Sequence, residues 1–539
     1  MRKKILYRKI LYVLGGAVLT LALAFWILTT FYLDDALTNT GIPKLQHIIH
    51  VVTLGRYEVK MSHVTHTDGE IYCYDFEIVR NHYDTSEHGI TIERLSIDTV
   101  RLSGISWWNL LWGKSFSMKS LKINAPKIYF TDAAKEKHTP DTVKEAITVP
   151  PLDIAKGIIN DIIVFLPERS RTEPGFRGLN VHLEHFYLDP QHPQNEAMLY
   201  SKQIDFELPS ADFIVFDTFY MAHIRNMRGT SVDSSLRIDS IWYSLRMSEN
   251  DFAARQKYAT PSFFYRIADI NILGINLDKF VSGISFELHK FSVGSWYIDS
   301  YLDRTRPADP RHERAILPNE LLHAMPLSVS IDSVIFKNGI LRVRERSATS
   351  HEMGKLFFDR VNLIAAPVHI ADSNDGKPVV MNASAYFVGE GLLRSTWIYP
   401  LRHKSFDLDI HATVSGFDGK KLNPWLVPFE RTEMTDGALD SGRIEMKVRN
   451  GINTTTVTPY YHNLSMKILN TDPKKGRGLM EGFKTFMAKA FVLRADNPKV
   501  GKPVISATTT RARTRDEELM EFVWVSLRKS LGVVVGGFQ

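Results

Sequence analysis

Cysteine is nearly absent. The 539 residues contain one, Cys73, which excludes an intrachain disulfide framework and any multi-cysteine metal site. Net charge is also missing from most of the chain. The formal charge is +6, but Arg2, Lys3, Lys4, Arg8 and Lys9 supply five of those charges and leave +1 for everything after residue 10. So neutral a body lacks the electrostatic footprint of a nucleic-acid binder, and no nucleic-acid partner is expected. Catalytic signatures are missing too. There is no G-x-S-x-G elbow, phosphate-binding P-loop or dinucleotide glycine fingerprint beyond residue 33. His63-x-x-His66 and His182-x-x-His185 have a spacing that binds metal on a helix, but both lie in strand-like text, where residues three apart point to opposite faces. Asp516, Glu517 and Glu518 form an acidic cluster at a helix start, a position that favours capping. No enzyme activity, cofactor or metal is expected.

Long hydrophobic runs are absent except for one. Leu11 to Leu33, LYVLGGAVLTLALAFWILTTFYL, holds 23 residues without a charge. As a helix it reaches about 34 Å, enough to cross the roughly 30 Å hydrocarbon core of a bilayer. Trp26, Phe31, Tyr32 and Tyr12 lie toward its ends, where aromatic rings favour the headgroup region. The cations before it place residues 1–10 in the cytoplasm and the bulk of the chain across the membrane. A cleaved signal peptide is the rival reading. The run is longer than a usual signal core, and TTFYLDDALTNT offers no small-x-small cleavage site.

Beyond the run the texture is β. Alternation is sharpest in SFDLDIHATVS, where Phe406, Leu408, Ile410, Ala412 and Val414 oppose Asp407, Asp409, His411 and Thr413. In GRIEMKVRN, Ile444, Met446 and Val448 oppose Arg443, Glu445, Lys447 and Arg449. Turn pairs punctuate the chain at Asp68-Gly69, Asn338-Gly339, Asp375-Gly376, Asp418-Gly419, Asp436-Gly437 and Asn450-Gly451. A weak repeat links IDTVRLSGI from Ile97, IDSIWY from Ile238, ADINILGI from Ala268 and IDSVIFKNGIL from Ile331, as in a sheet lengthened by similar strand pairs. Ala155, Ile158, Ile159, Ile162, Ile163 and Leu166 have helical spacing and predict an amphipathic helix over about 152–166. Leu479, Phe483, Phe486, Met487, Ala490 and Phe491 form another helical stripe. Thr514-x-x-Glu517 reads as a capping box before a final helix whose apolar face is Leu519, Phe522, Val523 and Leu527.

The expected fold is therefore mostly β with a few helices. A transmembrane helix over 11–33 precedes an elongated, curled, groove-like antiparallel sheet, with amphipathic helices near the middle and the C-terminus. The expected divisions are a β-rich region over 34–325, a C-terminal β region over 326–470 and a helical tail over 471–539. The strands have one greasy face and one wet face. Periodicity alone does not say whether the greasy face closes on a second layer or stays open to hold acyl chains. Phe406, Leu408, Ile410, Val414, Ile444, Met446 and Val448 are the candidate lipid-facing lining.

The last third resembles the AsmA-like family of envelope proteins. The resemblance is carried by ASAYFVGEGLLRSTWIYPL (383–401), FDLDIHATVSGFDGKKLNPWLVPF (406–429), Asp436-Gly437 with SGRIEMKVRNG, TPYYHNLSMKIL ending at Leu469, RADNP from Arg494 and EFVWVSLRKSLG ending at Gly532. GRYEVKMSHV after the membrane run fits the same layout. The resemblance implies an inner-membrane anchor, a periplasmic β-rich body curled into a groove, and phospholipid handling in outer-membrane assembly or envelope homeostasis. It carries no catalytic residues. The expected partners are the inner membrane, phospholipid acyl chains and other envelope proteins. A structural or chaperone-like scaffold for envelope protein assembly is the alternative, and a membrane-anchored hydrolase with dispersed acids is the third.

Overall fold

A computed structural model describes residues 33–43, 45–47, 57–80, 90–111, 115–132, 151–165, 175–189, 200–215, 219–277, 279, 285–311, 314–323, 328–370, 378–400, 406–469 and 494–536. The expected membrane run, apart from Leu33, and the stripe from Leu479 to Phe491 lie outside them. Among the described residues no helix is long and apolar enough to cross a membrane. The protein is mostly β and divides into two compact units, Met1–Phe213 with Arg228–Val232, and Ile214–Met227 with Asp233–Gln539. This division falls inside the stretch read as one region over 34–325.

In the first unit a short helix α1 (Leu33–Ala36) precedes β1 (Tyr57–Lys60), β2 (His63–Thr67), β3 (Glu70–Arg80) and β4 (Ile90–Ser103). Helix α2 (Trp107–Leu111) leads to β5 (Phe116–Asn124), β6 (Lys127–Asp132), β7 (Leu152–Phe165), β8 (Phe176–Leu188) and β9 (Ser201–Val215). Asp68-Gly69 closes the β2–β3 hairpin with both residues at positive φ, 52° and 77°, as the sequence pair requires. β5 and β6 form one line broken at Ala125, antiparallel to β4 on one side and parallel to β7 on the other.

The helix expected over 152–166 is the strand β7. Its isoleucines are β-branched and fit a pleated surface better than a helix. The helical spacing comes from a bulge. Asp161 sits at φ 53°, and the β7–β8 register slips between Ile159 and Ile163. The extra residue moves the apolar parity by one, so two strand segments in sequence imitate a 3.6-residue period.

The second unit holds β10 (Tyr220–Thr230), β11 (Ser235–Leu245), α3 (Glu249–Arg255), β12 (Ser262–Leu273), β13 (Ser285–Asp303), α4 (Pro318–His323), β14 (Ser328–Arg346), β15 (Met353–Ala366) and β16 (Val368–Ile370). It continues with β17 (Val379–Phe387), β18 (Gly391–Tyr399), β19 (Leu408–Asp418), α5 (Asn423–Glu430), β20 (Thr432–Arg449), β21 (Ile452–Ile468), β22 (Ala507–Ala512) and α6 (Leu519–Gly536). β13 and β14 run parallel over 16 residue pairs from Ser285↔Ser328 to Asp303↔Arg346. The sheets are therefore mixed and not purely antiparallel. A parallel pair needs a crossover, and here the residues between β13 and β14 supply it. They carry α4 onto the apolar side, where Leu317 packs with Phe406 and Leu408.

Asn450-Gly451 makes the expected β20–β21 turn. Asn338-Gly339 does not make a turn but lies inside β14. Asn338 is at φ 49°, and the β14–β15 register slips around it. Its amide N–H donates to Asn362 Oδ1 and its side-chain NH₂ to Gly294 O. Gly339 is held by packing, since a Cβ there would overlap the Trp296 indole. Asp436-Gly437 is likewise interior to β20, at another register slip. A turn pair inside a long strand thus marks a bulge where the strand bends.

Candidate functional site

The candidate site is the apolar face, and the cross-strand registers trace it residue by residue. In the second unit one row runs Leu236, Ile272, Phe291, Val334, Ala365, Met381, Trp397, Ile410, Met446, each paired with the next across a strand boundary. The adjacent row is Ile238, Ile270, Val293, Phe336, Leu363, Ala383, Ser395, Ala412, Ile444, Val457, Ala507. Because side chains alternate across a strand, residues paired in register share a face. Nearly every position is apolar, so a single greasy stripe crosses from β11 to β21.

One end of this stripe is roofed. Helix α6 turns Phe522, Ser526, Ser530 and Val534 inward at four-residue spacing, each 0 or 1% exposed. Phe522 joins Leu317 over Phe406, Leu408, Ile410, Ala412, Met446 and Val448, and Val534 packs on Val457 and Ala507. The expected lining is therefore assembled on one face, but α6 sits on most of it. Phe406, Leu408, Ile410, Met446 and Val448 are buried, Ile444 is half-buried at the edge of the cluster, and half-buried Val414 pairs with Leu393 and Gly442 outside it. The final helix begins at Leu519. Thr514 is therefore not its N-cap: it lies in a turn ahead of the helix, where the Glu517 carboxylate accepts from the Thr514 N–H and also holds Arg511 at 2.9 and 3.0 Å. Arg528 pairs with Glu430 at 3.0 Å, and the Arg494 guanidinium caps the helix at Val534 O, where a cation suits the dipole.

The other end is a strand-lined trough. Ile270 and Val293 are only 2% and 1% exposed. The hydrophobic side chains packed against them and Ile238 all come from strands: Ile224, Met227, Leu236, Ile241, Ile267, Ile272, Phe291, Trp296 and Phe336. A flat single layer leaves such positions half open, so this stretch of sheet is concave. Tyr265 on β12 is pushed above the ordinary tyrosine range by burial first, then by Tyr220 and by the Glu518 carboxylate. Stacked Tyr220 and Tyr243, with Tyr265 and Phe263, close the aromatic end of the trough. Its opposite face is wet, and ion pairs such as Arg449–Asp409 and Arg344–Asp299 link neighbouring strands there.

The first unit repeats the design. Val64, Cys73, Val100, Ile123, Ile159, Val181 and Phe206 pair in one row, and Ile71, Leu102, Leu121, Gly157, Leu183 and Ile204 in the next. The segment after α1 covers the near end. Ile42 packs on Val64 and Ile71, the Val64 N–H donates to Thr38 Oγ1, and Gln46 Nε2 donates to Val59 O. Cys73 faces this stripe, and burial raises its thiol to about 11, which makes it inert.

The trough residues of β11–β14 and the first-unit stripe were missed from sequence. Their signal was present as short apolar alternations, but residues at positive φ, Asp75, Ala125, Asp161, Asp269 and Asn338, interrupt the regular strand backbone. The paired histidines lie on strands, His63 and His66 on β2 and His182 and His185 on β8. His63 stacks on Tyr74, and no group of three or more metal-ligating side chains occurs among the described residues. The arrangement can hold long apolar chains by burial, without directed chemistry. Among known proteins, no family model and no curated protein matches this chain.

Proposed function

We propose that this chain is an inner-membrane-anchored envelope protein that binds or shuttles phospholipids along its apolar sheet face, in outer-membrane assembly or envelope homeostasis. The observation that carries the reading is the strand-floored trough around Ile270 and Val293. It offers a concave apolar surface joined in register to a stripe that crosses the whole unit. Burying each methylene of an acyl chain there contributes about 0.8 kcal/mol. The uncharged run at 11–33, with cations before it, supplies the anchor and its orientation with the N-terminus in the cytoplasm. The resemblance to the AsmA-like family points the same way.

Native mass spectrometry of the full chain in lipid nanodiscs tests this. Copurified phospholipid is expected, and Val293→Glu is expected to remove at least tenfold of it from the second unit, with circular dichroism separating loss of lipid from loss of fold. Absence of bound lipid in the wild-type chain would overturn the reading.

A scaffold for envelope proteins is favoured by one feature. Among the described residues the registers pair β22 with β21, and its far side is the place for an added strand. Crosslinks from that edge to unfolded envelope proteins, with no lipid bound, would favour it.

A further inference from the structure

We infer that the seat beneath α6 is a second acyl-chain site, in which a fatty-acyl chain and the helix compete for the same floor. This rests on the lipid-binding reading and extends it to the end of the stripe that is roofed. Three observations carry it. First, the apolar rows do not stop at the roof: Met381 pairs with Trp397, Trp397 with Ile410, and Ile410 with Met446, so along this row the floor of the trough continues under the helix, and in the adjacent row only Ser395 interrupts it.

Second, the helix fits the far part of that floor poorly. Asn453 and Thr455 are each 1% exposed, in register with Val448 and Met446, yet both amide atoms of Asn453 and Oγ1 of Thr455 lack a hydrogen-bond partner. The Tyr461 hydroxyl next to Leu439 is also buried without one. Native structures rarely leave such groups buried and unpaired, because they lose water and gain nothing. Here they cluster under one helix, which lowers the cost of separating that helix from the sheet.

Third, the inner face of α6 is small and polar at its centre. Ser526 and Ser530 lie between Phe522 and Val534. Ser530 Oγ donates to Thr455 O and shares a 2.7 Å contact with Thr509 Oγ1, while Ser526 Oγ turns back to Phe522 O. Phe522 sits fully buried in the cluster around Leu408 and Met446, with Leu519, Val523 and Leu527 of the same helix packed at its edge, so the slot is filled by hydrocarbon of acyl-chain chemistry. An extended hydrocarbon lying along Trp397, Ile410 and Met446 would take the same slot. The orphan amide of Asn453 and the hydroxyl of Thr455 would then be free to meet water or the glycerol-ester end of the lipid.

The test uses the full chain with vesicles of phosphatidylethanolamine and phosphatidylglycerol that contain a phosphatidylethanolamine bearing an acyl-chain diazirine. Photolysis of the wild-type chain followed by peptide mapping is expected to place crosslinks in residues 406–448 as well as in 236–298. A staple closes the roof. Thr509→Cys with Ser530→Cys, in a Cys73→Ala background, joins side chains whose oxygens are 2.7 Å apart. Oxidation is expected to reduce the 406–448 crosslinks at least fivefold and leave those in 236–298 unchanged, and reduction of the same sample is expected to restore them. Crosslinks confined to 236–298 in the wild-type chain overturn this inference and leave the lipid-binding reading standing. Crosslinks in neither region overturn both. Crosslinks in 406–448 that the staple does not change also overturn the inference, because the helix then shares no floor with the lipid.

Discussion

Single side chains beneath α6 set how firmly the roof is held. Thr455 is the clearest case, because its hydroxyl is buried under the helix and makes no hydrogen bond while its backbone carbonyl accepts from Ser530. Replacing the hydroxyl with a methyl removes the unsatisfied group and keeps the shape. Thr455→Val is therefore expected to stabilise the second unit by about 1 kcal/mol, since leaving such a group buried costs about 1–3 kcal/mol. For a unit of this size that corresponds to a rise of about 1–2 °C in the melting midpoint. Scanning calorimetry checks it, and a fall in the midpoint would mean that the hydroxyl is satisfied by water. The same substitution firms the seat of the helix, so it should also lower lipid crosslinking to 406–448.

At the scale of elements, alternation was legible and bulges were not. The strands around Phe406–Val414 and Ile444–Val448 follow their sequence pattern, because neither carries an interruption between its apolar positions. β7 was read as a helix because Asp161 adds one residue to the ladder, and a parity change is indistinguishable from a helical repeat over 14 residues. Asn338-Gly339 was read as a turn for a related reason: the positive φ that suits a hairpin also suits a bulge. The greasy face was legible as a face. Which part of it α6 covers was not, because the helix lies at least 71 residues beyond Val448 in sequence and the pairing exists only in the folded unit.

The β19–β20 pair also carries a pH dependence. Arg449 grips Asp409 with two hydrogen bonds, 2.7 and 2.8 Å, and hydrogen bonding to that guanidinium lowers the Asp409 carboxyl below its ordinary value. A carboxyl held lower in the folded state than in the unfolded one stabilises the fold at pH above its unfolded value, about 4. That contribution is lost as pH falls from there through the folded value. Urea midpoints measured from pH 7 downward should therefore fall below about pH 4, and Asp409→Asn should flatten that limb while costing little elsewhere. An unchanged acid limb in the variant would show that the pair does not contribute.

At the scale of the whole molecule, each unit presents its own apolar stripe with a covering segment at one end. Ile42 and its neighbours lie over Val64 and Ile71 in the first unit, and α6 lies over Leu408 and Met446 in the second. If lipid binds by burial alone, each stripe should hold chains independently, because hydrophobic burial is local and additive in area. A charge placed in one stripe should then empty that unit and spare the other. Ile123→Glu in the first unit and Val293→Glu in the second each put a carboxylate in the middle of an apolar row, where its desolvation is unpaired. Native mass spectrometry is expected to show the lipid count of each variant reduced by the share of its own unit, with the double variant lipid-free. Loss of all lipid from either single variant, with both units still folded by hydrogen exchange, would show that the stripes do not bind separately.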